Sequence, residues 1–192
     1  MTPVALVRDV PARDVPGRDV PARDVGRETA GPVASPVAVR RATAADVAGV
    51  VALISEWAAE GLLLARSAAD VAAALDDCVV AADARGRVLA CAAVREYSPS
   101  LAEVVSVAVA RAAHGRGLGR RVVRAAEALA RLRGHAAVFA HTLQPDFFDA
   151  LGYERADRAL YPEKRARPQT LCFRRALAGA APAAAPAFAA AA

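Results

Sequence analysis

The 192 residues allow one domain of ordinary size with extensions, large enough to bury a core without disulfide or metal staples. A hydrophobic share of 56% with 5% aromatics reflects Ala and Val, and no run approaches the roughly 18 apolar residues of a spanning helix, which argues against a membrane protein. The net charge of +5 is mostly arginine, with no aromatics interleaved among the clusters; this argues against nucleic acid and for a phosphate-rich or acidic small molecule.

Along the chain, residues 1–35 come first and carry Arg-Asp-Val at 8–10, 13–15, 18–20 and 23–25, a short period interrupted by Pro and Gly. Proline removes backbone donors and the segment has little to bury, so a disordered arm is expected. The start lacks the apolar core of a secretory signal, and a cytoplasmic protein is the expectation. Residues 178–192, rich in Ala and Pro, are expected to form a disordered tail, leaving a domain over 36–177.

Within it, residues 37–42 read as a strand. Thr43-Ala-Ala-Asp46 is a capping-box start to an apolar-periodic helix through Trp57, and Ser67-Ala-Ala-Asp70 opens a second, shorter one. Apolar runs at 78–82 and 88–94, separated by a Gly-containing turn, predict an antiparallel hairpin, and 103–109 predicts a further strand. A helix over 120–133, a buried strand over 136–141, a short Pro-led helix over 145–151 and a strand over 170–174 complete the order β-α-α-β-β-β-α-β-α-β. Cys78, Cys91 and Cys172 are odd in number and widely spaced, which fits reduced structural thiols and neither a disulfide framework nor a metal site.

The chemistry concentrates in 104–123, where an apolar strand runs through a basic turn into a glycine-rich helix start. Gly115, Gly117 and Gly119 let backbone N–H groups approach an anion, the helix N-terminus favours negative charge, and Arg116, Arg120 and Arg121 add to it. No Gly-Lys-Ser/Thr follows, which excludes a Walker A loop. The spacing G-x-G-x-G, with no acidic residue at the end of the next strand, argues against a dinucleotide fingerprint.

His114-Gly-Arg-Gly117-Leu-Gly119 resembles motif A of the GNAT acetyltransferases, R/Q-x-x-G-x-G/A, and 146-DFFDALGYER-155 resembles that family's second cofactor segment. The resemblance implies the GNAT acyl-CoA N-acyltransferase fold, an α/β fold with a mixed, mostly antiparallel twisted sheet, flanking helices and splayed central strands. It also implies acetyl-CoA as co-substrate, held by Val107, Ala108 and Val109, by His114, Gly115, Arg116, Gly117, Leu118, Gly119 and Arg120, and by Gln144, Phe147 and Phe148. His114 stands where the family carries Arg or Gln.

A narrower resemblance is to the short, stand-alone bacterial N-acetylglutamate synthases, through 60-EGLLLARS-67, 102-AEVVSVAV-109, 142-TLQPDFFDALGY-153 and 160-LYPEK-164. It implies acetyl transfer to the α-amine of L-glutamate, the first step of arginine biosynthesis, with Leu64, Arg66, Ser67 and Lys164 toward the substrate, and Arg174 is a further cation suited to a carboxylate. Glu103 matches the position where many GNAT enzymes carry a base. Phe148 matches the position of a tyrosine acid in other relatives, so the thiolate would leave unprotonated. His135 and His141 read as structural and Trp57 as core. The alternatives left open are another small amine or a protein N-terminus as acceptor, and an inactive CoA-binding regulatory module. A small-molecule partner is expected, without nucleic acid, membrane or metal; assembly as a homodimer stays open.

Overall fold

The computed structural model describes residues 36–161 and 169–177. The expected arm, the expected tail and Lys164 lie outside these residues. Seven strands form one sheet in the order β1-β2-β3-β4-β5-β7-β6: β1 (Ala38–Arg41), β2 (Cys78–Ala82), β3 (Val88–Ser98), β4 (Leu101–Val109), β5 (Ala137–Thr142), β6 (Glu154–Ala156) and β7 (Leu171–Ala176). Every pairing is antiparallel except β4 with β5. The short strand β6 was not expected, and β3 runs on to Ser98, past the expected end at Val94, because β4 returns beside it in a tight hairpin.

Helices α1 (Val47–Ala59) and α2 (Ala68–Ala73) cover one face of the sheet, where Val50, Leu53, Ile54 and Val71 pack on Cys78, Val80, Cys91 and Ala108. Helix α3 (Leu118–Leu132) covers the other. Its buried Leu118, Val122, Val123, Ala126, Leu129 and Ala130 follow helical spacing and meet Ala90, Ala92, Val94, Val104 and Val138. The short helix α4 (Pro145–Ala150) joins the α3 side through Phe148. A third cluster of Phe139, Tyr161 and Cys172, with Tyr97 and Leu101 against it, occupies the far end of the α1 face, beyond the helices.

Both expected capping boxes form. Ser67 N–H donates to Asp70 at 2.9 Å and Asp70 N–H donates back to Ser67 Oγ at 3.1 Å. At the other, Thr43 N–H donates to Asp46 at 2.7 Å, and Arg40 adds two hydrogen bonds to the same carboxylate at 2.6 and 2.9 Å. The Arg40 guanidinium above all, opposed by burial and helped by Thr43, lowers the Asp46 carboxyl to about 2. A depressed acid stabilises the fold above its ordinary titration range and loses that contribution as pH falls toward 2. Because the Arg40 side chain is 39% exposed, solvent screens part of the effect. Asp46→Asn is expected to cost about 1–2 kcal/mol at neutral pH. Thermal melts of the two proteins should converge as the pH is lowered through the acid range.

Candidate active site

The sheet opens in its middle. β4 and β5 pair only over 101–103 with 137–139, whereas β4 stays on β3 as far as Val109 and β5 stays on β7 as far as Thr142. Beyond Glu103 and Phe139 the two central strands therefore keep their outer partners and lose each other. A bulge marks the place: Ala93 faces Val105 and Cys91 faces Ala108, so an extra residue is inserted in β4, and Ser106 takes a φ of 54°. The backbone there is strained, and such conformations persist where surrounding structure holds them. Cys91 does part of this, donating to the Ser106 carbonyl at 3.4 Å.

The bulge also sets which amides face the opening. Ala110 N–H donates to Leu89, so Ala90 and Val109 are a non-hydrogen-bonded pair and the polar groups of Val109 point away from β3, into the cleft. The Val109 carbonyl accepts from the Trp57 indole at 3.0 Å, and His114 Nε2 lies 3.1 Å from the same oxygen. Ala108, expected at the cofactor, is turned the other way: its amide faces the Cys91 thiol and its side chain is in the α1 core.

At the end of β4 the glycine loop turns into α3, where a phosphate cradle is expected. Gly115 and Gly117 have φ of 72° and 70°, and a Cβ on either would meet nothing within 4 Å. Gly117 is the N-cap of α3, so the first amides of that helix have no helical acceptor and point outward between exposed Arg116 and Arg120. Open space above donor groups at a positive helix end fits a pyrophosphate. Gly119 has another reason: a Cβ there would stand 3.1 Å from Phe147 and 3.3 Å from Val109, so its small size lets α3, α4 and β4 meet. Leu118 contributes its backbone alone, since its side chain is core.

Gly117→Ala places a methyl group over these amides in a left-handed conformation that costs a non-glycine residue about 1 kcal/mol. The expected result is a rise in KM for acetyl-CoA of about fivefold to tenfold, with KM for the acceptor unchanged in initial-rate kinetics.

Several expected contacts change. Phe148 is buried against Tyr153 and Phe173, with ring centroids 5.1 and 6.0 Å away, so it is core and Phe147 is the phenylalanine beside the loop. The His114 ring stacks on Trp57 at 5.5 Å, and Arg111 lies over the indole at 4.4 Å while pairing with Glu56 and Glu60. The His114 side chain is thus held by α1, leaving its backbone for any phosphate. Gln144 is the exposed N-cap of α4.

On the α1 face, register aligns Arg95, Glu103, Phe139 and Arg174 across β3, β4, β5 and β7, where the splay begins. Glu103 is buried, with His141 Nδ1 3.5 Å from its Oε1. Tyr161 stacks on Phe139 at 4.1 Å, and burial pushes its phenol up to about 12. Tyr153, on the opposite face, is raised further by burial beside Glu127. Both phenols stay protonated near neutral pH.

Next to this row is a cavity of about 100 Å³, lined by Arg66, Arg95, Val105 and Ser106 with Asp70 and Asp77. It has the volume of about three waters, so a bound acceptor would extend from it into the gap between β4 and β5. Arg66 therefore stands where an acceptor's carboxylate could reach it. Ser67 does not join it, because its side chain is engaged as the cap of α2, and Leu64 is 60% exposed on the loop. Arg174 is exposed at the far end of the row. Arg95 and Ser106, which line this cavity, were not singled out from the sequence, and His141, expected to be structural, adjoins Glu103; the alternation Ala93, Arg95, Tyr97 would have placed Arg95 on the inner face had β3 been extended.

The model of the acetyltransferase (GNAT) family matches residues 47–153. An uncharacterized N-acetyltransferase of Chlorobaculum tepidum is 34% identical over 142 residues, 74% of this chain and 91% of the relative. The chain belongs to the GNAT family. It is an acetyl-CoA-dependent N-acetyltransferase. Among solved structures, the N-acetylglutamate synthase of Neisseria gonorrhoeae, complexed with coenzyme A and N-acetyl-glutamate, superposes with a TM-score of 0.66 at 23% identity over 74% of this chain. This acetyltransferase spans 35% of that synthase's length. A Mycobacterium tuberculosis protein solved with CoA gives 0.65 at 22% identity, covering 73% of this chain and 99% of the other. At these identities the likeness is one of fold. No helix among the described residues is long and apolar enough to cross a membrane.

Proposed function

We propose that this GNAT enzyme acetylates the α-amine of a dicarboxylic amino acid, L-glutamate, and so serves the first step of arginine biosynthesis. The observation that carries the reading is the pair Arg66 and Arg95 lining one cavity beside the β4 bulge. The acids of that cavity are already engaged, Asp70 in the α2 capping box and Asp77 with Arg133 at 2.6 Å. Among the described residues, neither Arg66 nor Arg95 stands within ion-pair distance of an acid, although the Arg66 charge helps hold Asp70 ionised, and both guanidiniums keep donors for an incoming anion. The Neisseria synthase's complex with N-acetyl-glutamate supports the same acceptor.

Acetyl-CoA supplies an acetyl thioester as the electrophile. The amides from Gly115 to Arg120 would hold its pyrophosphate, and the cleft-facing backbone around Val107 and Val109 would take its arm and stabilise negative charge on the thioester oxygen. An amino acid's α-amine is mostly protonated near pH 7. Glu103, at the point where β4 and β5 part, takes that proton and frees the lone pair. A thiolate, with the ordinary thiol titrating near 8.5, leaves without an acid.

The test is free-thiol release from acetyl-CoA with glutamate, aspartate, glutamine and spermidine. Glutamate is expected to give the highest kcat/KM. Turnover confined to another amine would keep the enzyme class and remove the substrate; CoA binding with no turnover on any amine would point to a regulatory module.

A further inference from the structure

Glu103 has a titratable neighbour that the reaction above does not use. His141 stands on β5 two residues past Phe139, on the same face, and its side chain is 7% exposed, as is that of Glu103. The ring is fixed edge-on against Phe139 at 5.6 Å and Tyr161 at 6.1 Å. Among the described residues, Nδ1 has no hydrogen-bond partner other than the Glu103 carboxylate, 3.5 Å away. Burying an imidazole nitrogen without a partner is costly, and catalytic pairs often stand at looser separations before substrate binds.

We infer that His141 is a positioning residue for the acetyl transfer: its Nδ1–H donates to Oε1 of Glu103 and holds the carboxylate ionised and in one orientation. The acceptor's ammonium proton passes to the carboxylate, the nitrogen lone pair forms the bond to the thioester carbon, the carbon–sulfur bond breaks to thiolate, and the nitrogen's second proton passes to water as the amide forms. The imidazole keeps its own proton throughout. The inference rests on Glu103 as base. Among the described residues, the other titratable and charged groups on this face are Arg95 and Tyr97 from β3, Cys172 and Arg174 from β7, and Asp157, Arg158 and Tyr161 from the turn after β6, with Arg66, Asp70 and Asp77 across the adjoining cavity. All of them remain in the variants below.

His141→Asn keeps an N–H donor where Nδ1 stands; His141→Leu removes it. With the acceptor found in the amine panel, His141→Leu should lower kcat by about tenfold to a hundredfold with both KM values unchanged. Its acid limb of kcat/KM should move to higher pH, because a carboxylate that has lost a donor holds its proton more tightly. His141→Asn should keep the wild-type limb and most of the rate. In a Glu103→Gln background, His141→Leu should cost nothing further. An undiminished kcat in His141→Leu, or equal losses in both variants with an unmoved limb, overturns the inference. A wild-type rate for Glu103→Gln alone is a separate outcome, and it removes the base and the positioning role together.

Discussion

Glu103→Gln is expected to lower kcat/KM near pH 7 by about a hundredfold or more, the usual contribution of a general base. The substitution keeps shape, burial and an oxygen toward His141 and removes the capacity to take a proton, so thermal stability should change little. The pH dependence separates this from a packing defect. An α-amine titrates near 8 in a peptide and higher in a free amino acid, so without a base the rate should climb with pH as solvent deprotonates the amine. The deficit should therefore shrink above about pH 9. Free-thiol release followed from pH 6 to 10 checks it. A constant deficit across that range would mean that Glu103 shapes the cleft without accepting the proton.

What could be read from the sequence follows the range of the forces involved. The two capping boxes are local, each within four residues, and both formed as expected. The glycine turn before α3 was equally legible, because a left-handed turn before a helix needs glycine at 115 and 117. Long-range pairing was not. β3 was expected to stop at Val94 because Arg95 and Glu96 break the apolar run, yet the hairpin to β4 extends it and turns Arg95 into the cavity. β6 has three residues and no alternation, and only β7 beside it makes it a strand. Phe147 and Phe148 differ by one helical step, about 100° of rotation, so the sequence could not say which faces the core. Tyr153 and Phe173 decide it from other elements. His141 was visible as the end of a strand; its partner stands on another strand, reached through the lone parallel pairing of the sheet.

Arg66→Ala and Arg95→Ala are each expected to raise KM for glutamate by about tenfold to a hundredfold, the cost of losing a hydrogen-bonded charge partner for a carboxylate. KM for acetyl-CoA should not move, since the glycine cradle lies at the start of α3 and neither arginine is part of it. The two variants should differ in what they do to specificity. One arginine meets the α-carboxylate that glutamate and glutamine share, and its loss weakens both substrates equally. The other meets the γ-carboxylate, and its loss erases the preference for glutamate over glutamine. Lysine at either position should recover only part of the effect, because an ammonium is a point charge without the guanidinium's fork. If both alanine variants keep the wild-type KM for glutamate, the cavity does not hold the acceptor's carboxylates.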